Sequence, residues 1–275
     1  MKKISIIIPA YNEEEALPAL MERITKFADD TKDYDFEFLF VNDGSKDRTI
    51  ELIKEYREKD KRVCYVDFAR NFGKETAMKA GIDYATGDAV VFLDADLQDP
   101  PEIITEMIKY WEEGYDDVYA QRKSRKGETW MKKFTSKMYY KILQDLTNVP
   151  IQKDTGDFRL LDRRCVNALK VMNESQRNSK SMFSWIGYKK KAIFYDRDPR
   201  VAGKTKWNYS KLINLAIDGI TSFTTSPLRI STFIAIPTFL VLFVYFIYVI
   251  AKSFIVHQPI QAFQATILLI LFFSG

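Results

Sequence analysis

The chain has 275 residues, of which 47% are hydrophobic and 28% are charged, as in an ordinary globular protein with a full core. Its two cysteines, Cys64 and Cys165, lack the spacing of a metal site, and its first apolar stretch is too short for a secretion signal. The net charge of +4 divides into −12 over residues 1–121 (16 Lys/Arg, 28 Asp/Glu) and +16 over residues 122–275 (25 and 9). This asymmetry favours an anionic partner for the second part: nucleic acid, a membrane surface or a phosphorylated substrate.

Strand and helix patterns alternate over the first 120 residues. Short runs rich in β-branched and aromatic residues predict strands at 4–8, 36–41, 63–68, 89–93 and 116–120. Helical spacing predicts helices at 13–28, 47–59 and 74–85, and a fourth that starts at Pro100 and Pro101 and runs to about residue 113. The alternation predicts an α/β fold with a mostly parallel sheet that is covered on both faces.

The pattern changes after residue 121. An amphipathic stretch at 209–223 predicts a helix that either lies at a membrane interface or packs on the core. It is followed by 22 residues without a charge, 230–251, which are enough to cross a bilayer as a helix. A second apolar run at 262–275 is shorter than a full span, so we expect a second transmembrane helix that is truncated in this sequence.

Polar residues follow each of the first four predicted strands, at 9–13, 42–45, 70–74 and 94–96. Ligands of parallel α/β sheets bind outside the carboxyl ends of the strands, so these residues can converge on one ligand. Taken singly, each group is also explained by helix caps and turns. At the fourth strand end, Asp94, Asp96 and Gln98 offer the oxygen ligands that Mg²⁺ or Mn²⁺ prefers. A metal bound there would neutralise a diphosphate and stabilise it as a leaving group.

Five motifs carry a resemblance to a known family: PAYNEE at 9–14, VNDGSKD at 41–47, NFGKE at 71–75, DADLQDPPE at 94–102 and TGDFRLLDRR at 155–164. As a set they resemble the inverting family-2 glycosyltransferases of the GT-A fold. The most similar branch acts on polyisoprenyl phosphates and includes dolichyl-phosphate mannosyltransferase and bactoprenol glucosyltransferases. The resemblance covers roughly residues 3–230. It implies a Rossmann-like GT-A catalytic domain at 1–206, a juxtamembrane amphipathic helix at 207–228 and a transmembrane region at 229–275.

The resemblance also implies roles for individual residues. Those that match the nucleotide-sugar site are Pro9, Tyr11, Glu13, Asp43, Lys74 and Asp94. Those that match the metal and diphosphate site are Asp94, Asp96 and Gln98. Those that match catalytic positions are Asp157, Asp96 and Arg122. Asp157 corresponds to the acidic residue near the reacting sugar that is often called the base.

Two basic segments, 122–137 and 200–206, match the loops that close around the donor and acceptor phosphates in this family. Charge counts support this match: residues 122–137 contain seven Lys/Arg and one Glu, and residues 189–211 contain eight Lys/Arg and two Asp. Their position beside an interfacial helix and a membrane span favours a surface for anionic head groups and a clamp for a lipid phosphate. The residues predicted to bind the acceptor phosphate are Arg125, Lys132, Ser136, Arg200, Lys204 and Lys206.

Asp157 has a second chemical interpretation besides that of a base. A phosphate monoester has a second pKa of about 6, so at neutral pH it is largely dianionic and needs no deprotonation. Asp157 then orients the sugar or stabilises the positive charge that develops at its anomeric carbon.

The predicted activity is therefore the metal-dependent transfer of one sugar to undecaprenyl phosphate, with UDP-glucose as the first donor and GDP-mannose as the second. A polysaccharide synthase is disfavoured because the sequence lacks the Gln-x-x-Arg-Trp motif of those enzymes. Nucleic-acid binding is disfavoured because the basic runs flank membrane-like segments, and a non-catalytic scaffold because every strand end keeps its polar groups. The Lys/Arg excess before the first span predicts a multi-pass protein of the cell membrane with a cytoplasmic catalytic domain. The sequence leaves open whether the chain forms homo-oligomers.

Overall fold

The computed structural model describes residues 1–123, 155–174, 177–198 and 226–256, together with residue 266. The chain forms two compact units, Met1–Ser222 and Phe223–Gly275. Over its described residues the first unit contains a seven-stranded sheet with helices, and the second contains one long helix.

The strands of the first unit are β1 (Lys2–Ala10), β2 (Tyr34–Asn42), β3 (Val63–Asp67), β4 (Ala89–Phe92), β5 (Asp117–Arg122), β6 (Thr155–Asp162) and β7 (Lys190–Tyr195). Its helices are α1 (Leu17–Asp30), α2 (Thr49–Lys59), α3 (Lys74–Tyr84), α4 (Ile103–Glu112), α5 (Arg163–Lys170) and α6 (Ser179–Trp185). Every strand and helix predicted within the first 120 residues is present, which confirms the α/β class.

The seven strands lie in the order β3-β2-β1-β4-β6-β5-β7. The first four of these are mutually parallel, β5 is parallel to β7, and β6 is antiparallel to both β4 and β5. Phe92 of β4 pairs with Arg159 of β6, so two further steps along this ladder bring Asp94 level with Asp157. The sheet is thus mostly parallel, as predicted, and its reversed strand carries Asp157 to the edge where the parallel strands end.

Two helices begin three or more residues later than the sequence pattern predicts. Helix α1 begins at Leu17 rather than near residue 13, because Glu13 and the residues after it form a turn in which the Glu13 carbonyl accepts hydrogen bonds from two backbone N–H groups at 3.0 Å. Helix α4 begins at Ile103, where the carbonyl of Pro100 accepts the first of the turn's hydrogen bonds at 3.2 Å. The segments before both helices are thereby left as loops at the carboxyl edge of the sheet.

Helices cover both faces of the sheet, as the predicted parallel arrangement requires. Ile4, Ile6 and Ile8 of β1 lie in the main buried cluster together with apolar residues of α1 and α4. Ile7 points to the opposite face, where Gly81 of α3 approaches so closely that an added Cβ would lie 2.3 Å from Ile7 Cγ2. Helix α3, whose first residue is Lys74, is therefore fixed against the sheet by its backbone.

The second unit contains α7 (Ser226–Val256). Within it, Ser231–Ile255 is 25 residues long with a mean hydropathy of 2.6 and almost no buried side chains. Among the described helices it is the one that has the length and composition to cross a membrane. The second apolar run at 262–275 and the amphipathic stretch at 209–223 lie outside the described residues, apart from residue 266.

Candidate active site

Asp43 joins the loop after β2 to the loop after β3. Its two carboxylate oxygens accept hydrogen bonds from Phe72 N at 2.7 Å, Gly73 N at 2.9 Å and Asn71 Nδ2 at 2.9 Å. Burial raises the pKa of Asp43, and the two backbone donors oppose that rise. Gly44 makes the approach of the loops possible, since its φ is +63° and an added Cβ would lie 2.3 Å from the carbonyl carbon of Arg70.

The loop after β1 is fastened to the same loop after β2. Asn12 N donates to Ser45 Oγ at 3.0 Å, and Lys46 N donates to Asn12 Oδ1 at 2.8 Å. Glu13 N donates to Thr49 Oγ1 at 2.9 Å. The structure thus brings together the strand ends that carry four residues predicted to bind the nucleotide: Pro9, Tyr11, Glu13 and Asp43.

Lys74 lies between two carboxylates at the centre of this edge. Its Nζ is 2.6 Å from Asp94 Oδ1 and 2.6 Å from Asp157 Oδ2. Burial would lower the pKa of Lys74, but the charges of Asp157 and Asp94 raise it above its usual value. Lys74 is therefore a permanent cation, and it gathers side chains from α3, the loop after β4 and β6.

Asp157 is held as an anion by more than one cation. Burial would raise the pKa of Asp157, but the charges of Lys74, Lys180 and Arg159 lower it well below the usual range. Its second oxygen, Oδ1, is buried and has no hydrogen-bond partner among the described residues. A buried carboxylate oxygen without a partner is costly unless a ligand uses it, which indicates that Oδ1 faces a binding position.

Asp96 and Gln98 lie in the loop that follows β4. Asp96 Oδ1 accepts a hydrogen bond from Gln98 N at 3.2 Å, and Leu97 between them has a φ of +57°. No group of three or more His, Cys, Asp or Glu side chains within the described ranges is arranged to hold a metal. The carboxylates of Asp94 and Asp96 are hard oxygen donors, so the donor set fits Mg²⁺ or Mn²⁺ that completes its shell with phosphate oxygens.

Arg122 is the last residue of β5 and pairs in register with Tyr195 of β7. Its charge opposes the rise that burial causes in the pKa of the Tyr195 hydroxyl, and its Nε is buried without a partner among the described residues. The six residues predicted to bind the acceptor phosphate, Arg125, Lys132, Ser136, Arg200, Lys204 and Lys206, lie outside the described residues.

Three ionic groups behind the site, two of them fully buried, are absent from the predicted set. Glu75 accepts hydrogen bonds from the backbone N of Ser179, at 2.9 Å, and from its hydroxyl. Burial, followed by the charge of Asp157, raises the pKa of Glu75. Arg159 and Asp117 form a fully buried ion pair at 3.0 Å. Glu75 and Arg159 stand in the motifs NFGKE and TGDFRLLDRR. For Arg159, a basic residue among the buried apolar residues of β6 is the sequence signal; for Glu75, the signal is its place in the motif beside Lys74.

The fold, with its polar strand ends at one edge of a mostly parallel sheet, is of the GT-A type. The fold is similar to that of glucosyl-3-phosphoglycerate synthase from Mycobacterium tuberculosis, solved with Mn²⁺, UDP and glucosyl-3-phosphoglycerate. The TM-score is 0.53 at 18% identity, over 78% of this chain and 76% of that one. The sequence profile of the family described as Glycosyl transferase family 2 matches residues 5–169, and the chain belongs to that family. This confirms the family predicted from the five motifs.

Two relatives extend the similarity over almost the whole chain. A prophage bactoprenol glucosyl transferase homolog of Escherichia coli is 41% identical over 273 residues, which are 99% of this chain and 89% of the relative. An uncharacterized glycosyltransferase of Synechocystis is 45% identical over 273 residues, 99% of this chain and 86% of the relative. The chain is thus an enzyme that transfers a sugar.

Proposed function

We propose that the chain transfers one sugar, glucose from UDP-glucose in the first place, to a polyisoprenyl phosphate such as undecaprenyl phosphate. The observation that carries this proposal is the 41% identity to a bactoprenol glucosyl transferase homolog over 99% of the chain, which includes the C-terminal apolar helix. The acceptor is a membrane lipid, and the 25-residue span Ser231–Ile255 gives the enzyme access to it. The excess of Lys and Arg before this span favours a cytoplasmic catalytic unit, where nucleotide sugars are made.

The proposed reaction forms a bond between an acceptor phosphate oxygen and the anomeric carbon of the sugar. The bond from that carbon to the donor diphosphate breaks, and the nucleoside diphosphate leaves with the electron pair, so the anomeric configuration inverts. A dianionic phosphate carries the attacking lone pair without losing a proton. The lowered pKa of Asp157 supports a role other than proton acceptor, since a carboxylate that is hard to protonate is a weak base.

The residues at the sheet edge have separate roles in the proposed reaction. Asp157 directs negative charge at the anomeric carbon, and Lys74 holds the Asp157 carboxylate in place from one side. The loops after β1 and β2, joined through Asp43 and its neighbours, hold the nucleoside. Asp94 and Asp96, with Gln98, would hold Mg²⁺ or Mn²⁺. When bound, that metal neutralises the charge of the diphosphate leaving group.

Radiolabel transfer tests the proposal. The purified full chain in detergent is given undecaprenyl phosphate and, in separate reactions, UDP-glucose, GDP-mannose, UDP-galactose or UDP-N-acetylglucosamine. We expect a labelled, mild-acid-labile lipid from UDP-glucose, loss of the product with EDTA and its return with Mg²⁺ or Mn²⁺. A product formed from GDP-mannose alone would change the proposed donor to GDP-mannose and leave the proposed acceptor unchanged. Failure of all four donors would refute the proposed function.

A further inference from the structure

Asp99 is a buried carboxylate in the motif DADLQDPPE, with only 2% of its surface exposed. The hydroxyl of Tyr195 donates a hydrogen bond to Asp99 Oδ1, and Arg197 Nε lies 3.3 Å from the same oxygen. Burial, followed by the charge of Asp94, raises the pKa of Asp99, whereas the charge of Arg197 opposes that rise. Asp99 is thus buried beside one hydrogen-bond donor, the Tyr195 hydroxyl, and one cation, Arg197, which compensate the burial of its carboxylate.

Backbone hydrogen bonds also join the loop after β4 and the end of β5 to the end of β7. Gln98 O accepts a hydrogen bond from Asp198 N at 3.0 Å, one residue from Asp99. Arg122 and Tyr195 are register partners, and Lys123 N donates to Tyr195 O at 3.0 Å. The loop after β4 and the ends of β5 and β7 thus form one hydrogen-bonded unit.

Tyr195 lies between Asp99 and Arg122. Its hydroxyl donates to Asp99 Oδ1, so the hydroxyl proton points to that carboxylate. Arg122 is the register partner of Tyr195, and its charge opposes the rise that burial causes in the pKa of the Tyr195 hydroxyl. The lone pairs of the hydroxyl oxygen are therefore available to the guanidinium, which is a donor only.

A second feature of Arg122 concerns its Nε–H. Its Nε–H is buried and has no partner among the described residues, which is expensive for a cationic donor unless an anion completes it. We propose that Asp99 is a positioning residue that acts through Tyr195 to orient Arg122 toward a phosphate group of the reactants. This inference rests on the proposed function, since the phosphate belongs to the nucleotide sugar or to the polyisoprenyl phosphate.

A double-mutant cycle on the full chain tests whether Tyr195 acts through Arg122. Tyr195→Phe removes only the hydroxyl, and we expect kcat/KM for transfer to undecaprenyl phosphate to fall about 10-fold. In an Arg122→Ala background the same change should alter kcat/KM by less than about 2-fold, because the residue through which it acts is gone. Separate KM values for donor and acceptor then identify which phosphate Arg122 contacts. Asp99→Asn should give the same pattern as Tyr195→Phe.

Tyr34→Phe is the matched control, because the Tyr34 hydroxyl also donates to a carboxylate, Glu112 Oε1 at 3.1 Å, on an exposed part of the chain. It should leave kcat/KM within about 2-fold of the parent. A readout that needs no turnover is the Nε–H signal of Arg122 in the ¹⁵N-arginine spectrum, assigned by its loss in Arg122→Lys. We expect this signal to shift in Tyr195→Phe and to stay in place in Tyr34→Phe.

The results separate the two proposals. If the parent chain transfers no sugar, the proposed function fails, and the Arg122 signal still decides whether Asp99 and Tyr195 orient that guanidinium. Equal losses from Tyr195→Phe in both backgrounds would overturn the positioning role, because Tyr195 would then act independently of Arg122. An unshifted Arg122 signal in Tyr195→Phe would overturn it as well.

Discussion

One ammonium group holds together two acids that come from distant parts of the chain. Lys74 contacts Asp94 and Asp157 at 2.6 Å each, and Asp157 is 83 residues away from Lys74 in sequence. Two carboxylates drawn to one site repel each other unless a cation lies between them. The lysine therefore sets the geometry of the acids before any substrate binds.

Lys74→Met should destabilise the protein, because it leaves Asp157 buried without its nearest cation. Since 40% of the Lys74 side chain is exposed, water screens the loss, and we expect about 1–2 kcal/mol rather than the larger cost of a fully buried pair. Thermal unfolding in EDTA, which removes bound metal, measures this loss of stability. Lys79→Met on the same helix, which removes an i,i+4 pair with Asp83 and a 3.5 Å hydrogen bond to the Lys170 carbonyl, should cost less, about 0.5–1 kcal/mol.

The destabilisation by Lys74→Met should also depend on pH with a defined sign. The folded-state pKa of Asp157 is lowered, so its contribution to stability is complete above its unfolded pKa of about 3.9 and is lost as the pH falls toward the folded value. The difference in melting temperature between Lys74→Met and the parent should therefore be largest near neutrality and narrow below about pH 4. A constant difference down to pH 3 would contradict this account.

Asp157→Asn tests the proposed electrostatic role on the reaction itself. The amide keeps the shape and loses the negative charge near the anomeric carbon, so we expect kcat to fall about 10²–10³-fold. The parent rate should be level from pH 7 to 8 and decline only as the acceptor phosphate protonates near its pKa of about 6. Single-turnover rates across this range are the measurement. Asp29→Asn, which changes an exposed ion pair with Arg62, is the control. A rate in Asp157→Asn equal to that of the parent would show that Asp157 takes no part in the chemistry.

The loops after β1, β2 and β3 act as one element, because Asp43, Asn12 and their neighbours exchange hydrogen bonds across all three. Gly44 is the point of closest approach. Any side chain there would meet the backbone of Arg70, which cannot move without breaking the Asp43 contacts. The nucleotide-binding edge thus depends on a backbone contact as well as on side-chain identities.

Gly44→Ala should raise KM for the nucleotide sugar by about 10-fold or more and lower the melting temperature, since the loop must shift to admit the methyl group. Gly114→Ala is the matched control: its φ is also positive, at +87°, but an added Cβ would meet nothing within 4 Å. Both variants bear the cost of about 1–2 kcal/mol for a left-handed alanine. Only Gly44→Ala should change KM in steady-state kinetics, and equal KM values for the two variants would contradict the loop argument.

The elements that the sequence predicts are those in which apolar residues recur at a regular spacing without interruption by charged residues. Strands β1 to β4 alternate regularly with amphipathic helices, and their order, β3-β2-β1-β4, is that of a doubly wound parallel sheet. Strand β6 was not predicted because Asp157, Arg159 and Asp162 interrupt its apolar residues, although Arg159 is fully buried against Asp117. Burial of a charge that is paired with a residue 42 positions away does not follow from local pattern.

The candidate site was predictable in its residue types and less so in its contacts. Strand-end polarity points to Asp94 and Lys74, the motif resemblance adds Asp157, and the structure brings these three together. The bridge itself depends on the reversed direction of β6, which local periodicity does not encode. The link from Asp99 to Tyr195 is likewise a long-range contact, between residues 96 positions apart.

The uneven charge of the whole chain suggests two modes of membrane attachment. The basic residues after position 121 favour a peripheral contact with anionic lipids, which salt weakens. Helix α7 favours an integral attachment, because its span of 25 residues is apolar and its side chains are almost wholly unburied. The two modes differ in what releases the chain from membranes.

We expect the recombinant chain to remain in the membrane pellet in 1 M NaCl and in alkaline carbonate, since at this salt the Debye length is about 3 Å and peripheral contacts are screened. The double change Leu240→Lys and Val244→Lys places two charges in the middle of the span, at about 2.5–3.5 kcal/mol each. It should move the chain to the soluble or degraded fraction, whereas Ser253→Lys, near the end of the span beside Lys252, should not, because a terminal lysine reaches the interface. Immunoblots of the pellet and the supernatant measure how much of each variant stays in the membrane. Release of the parent chain by salt alone would place its attachment in the basic residues rather than in α7.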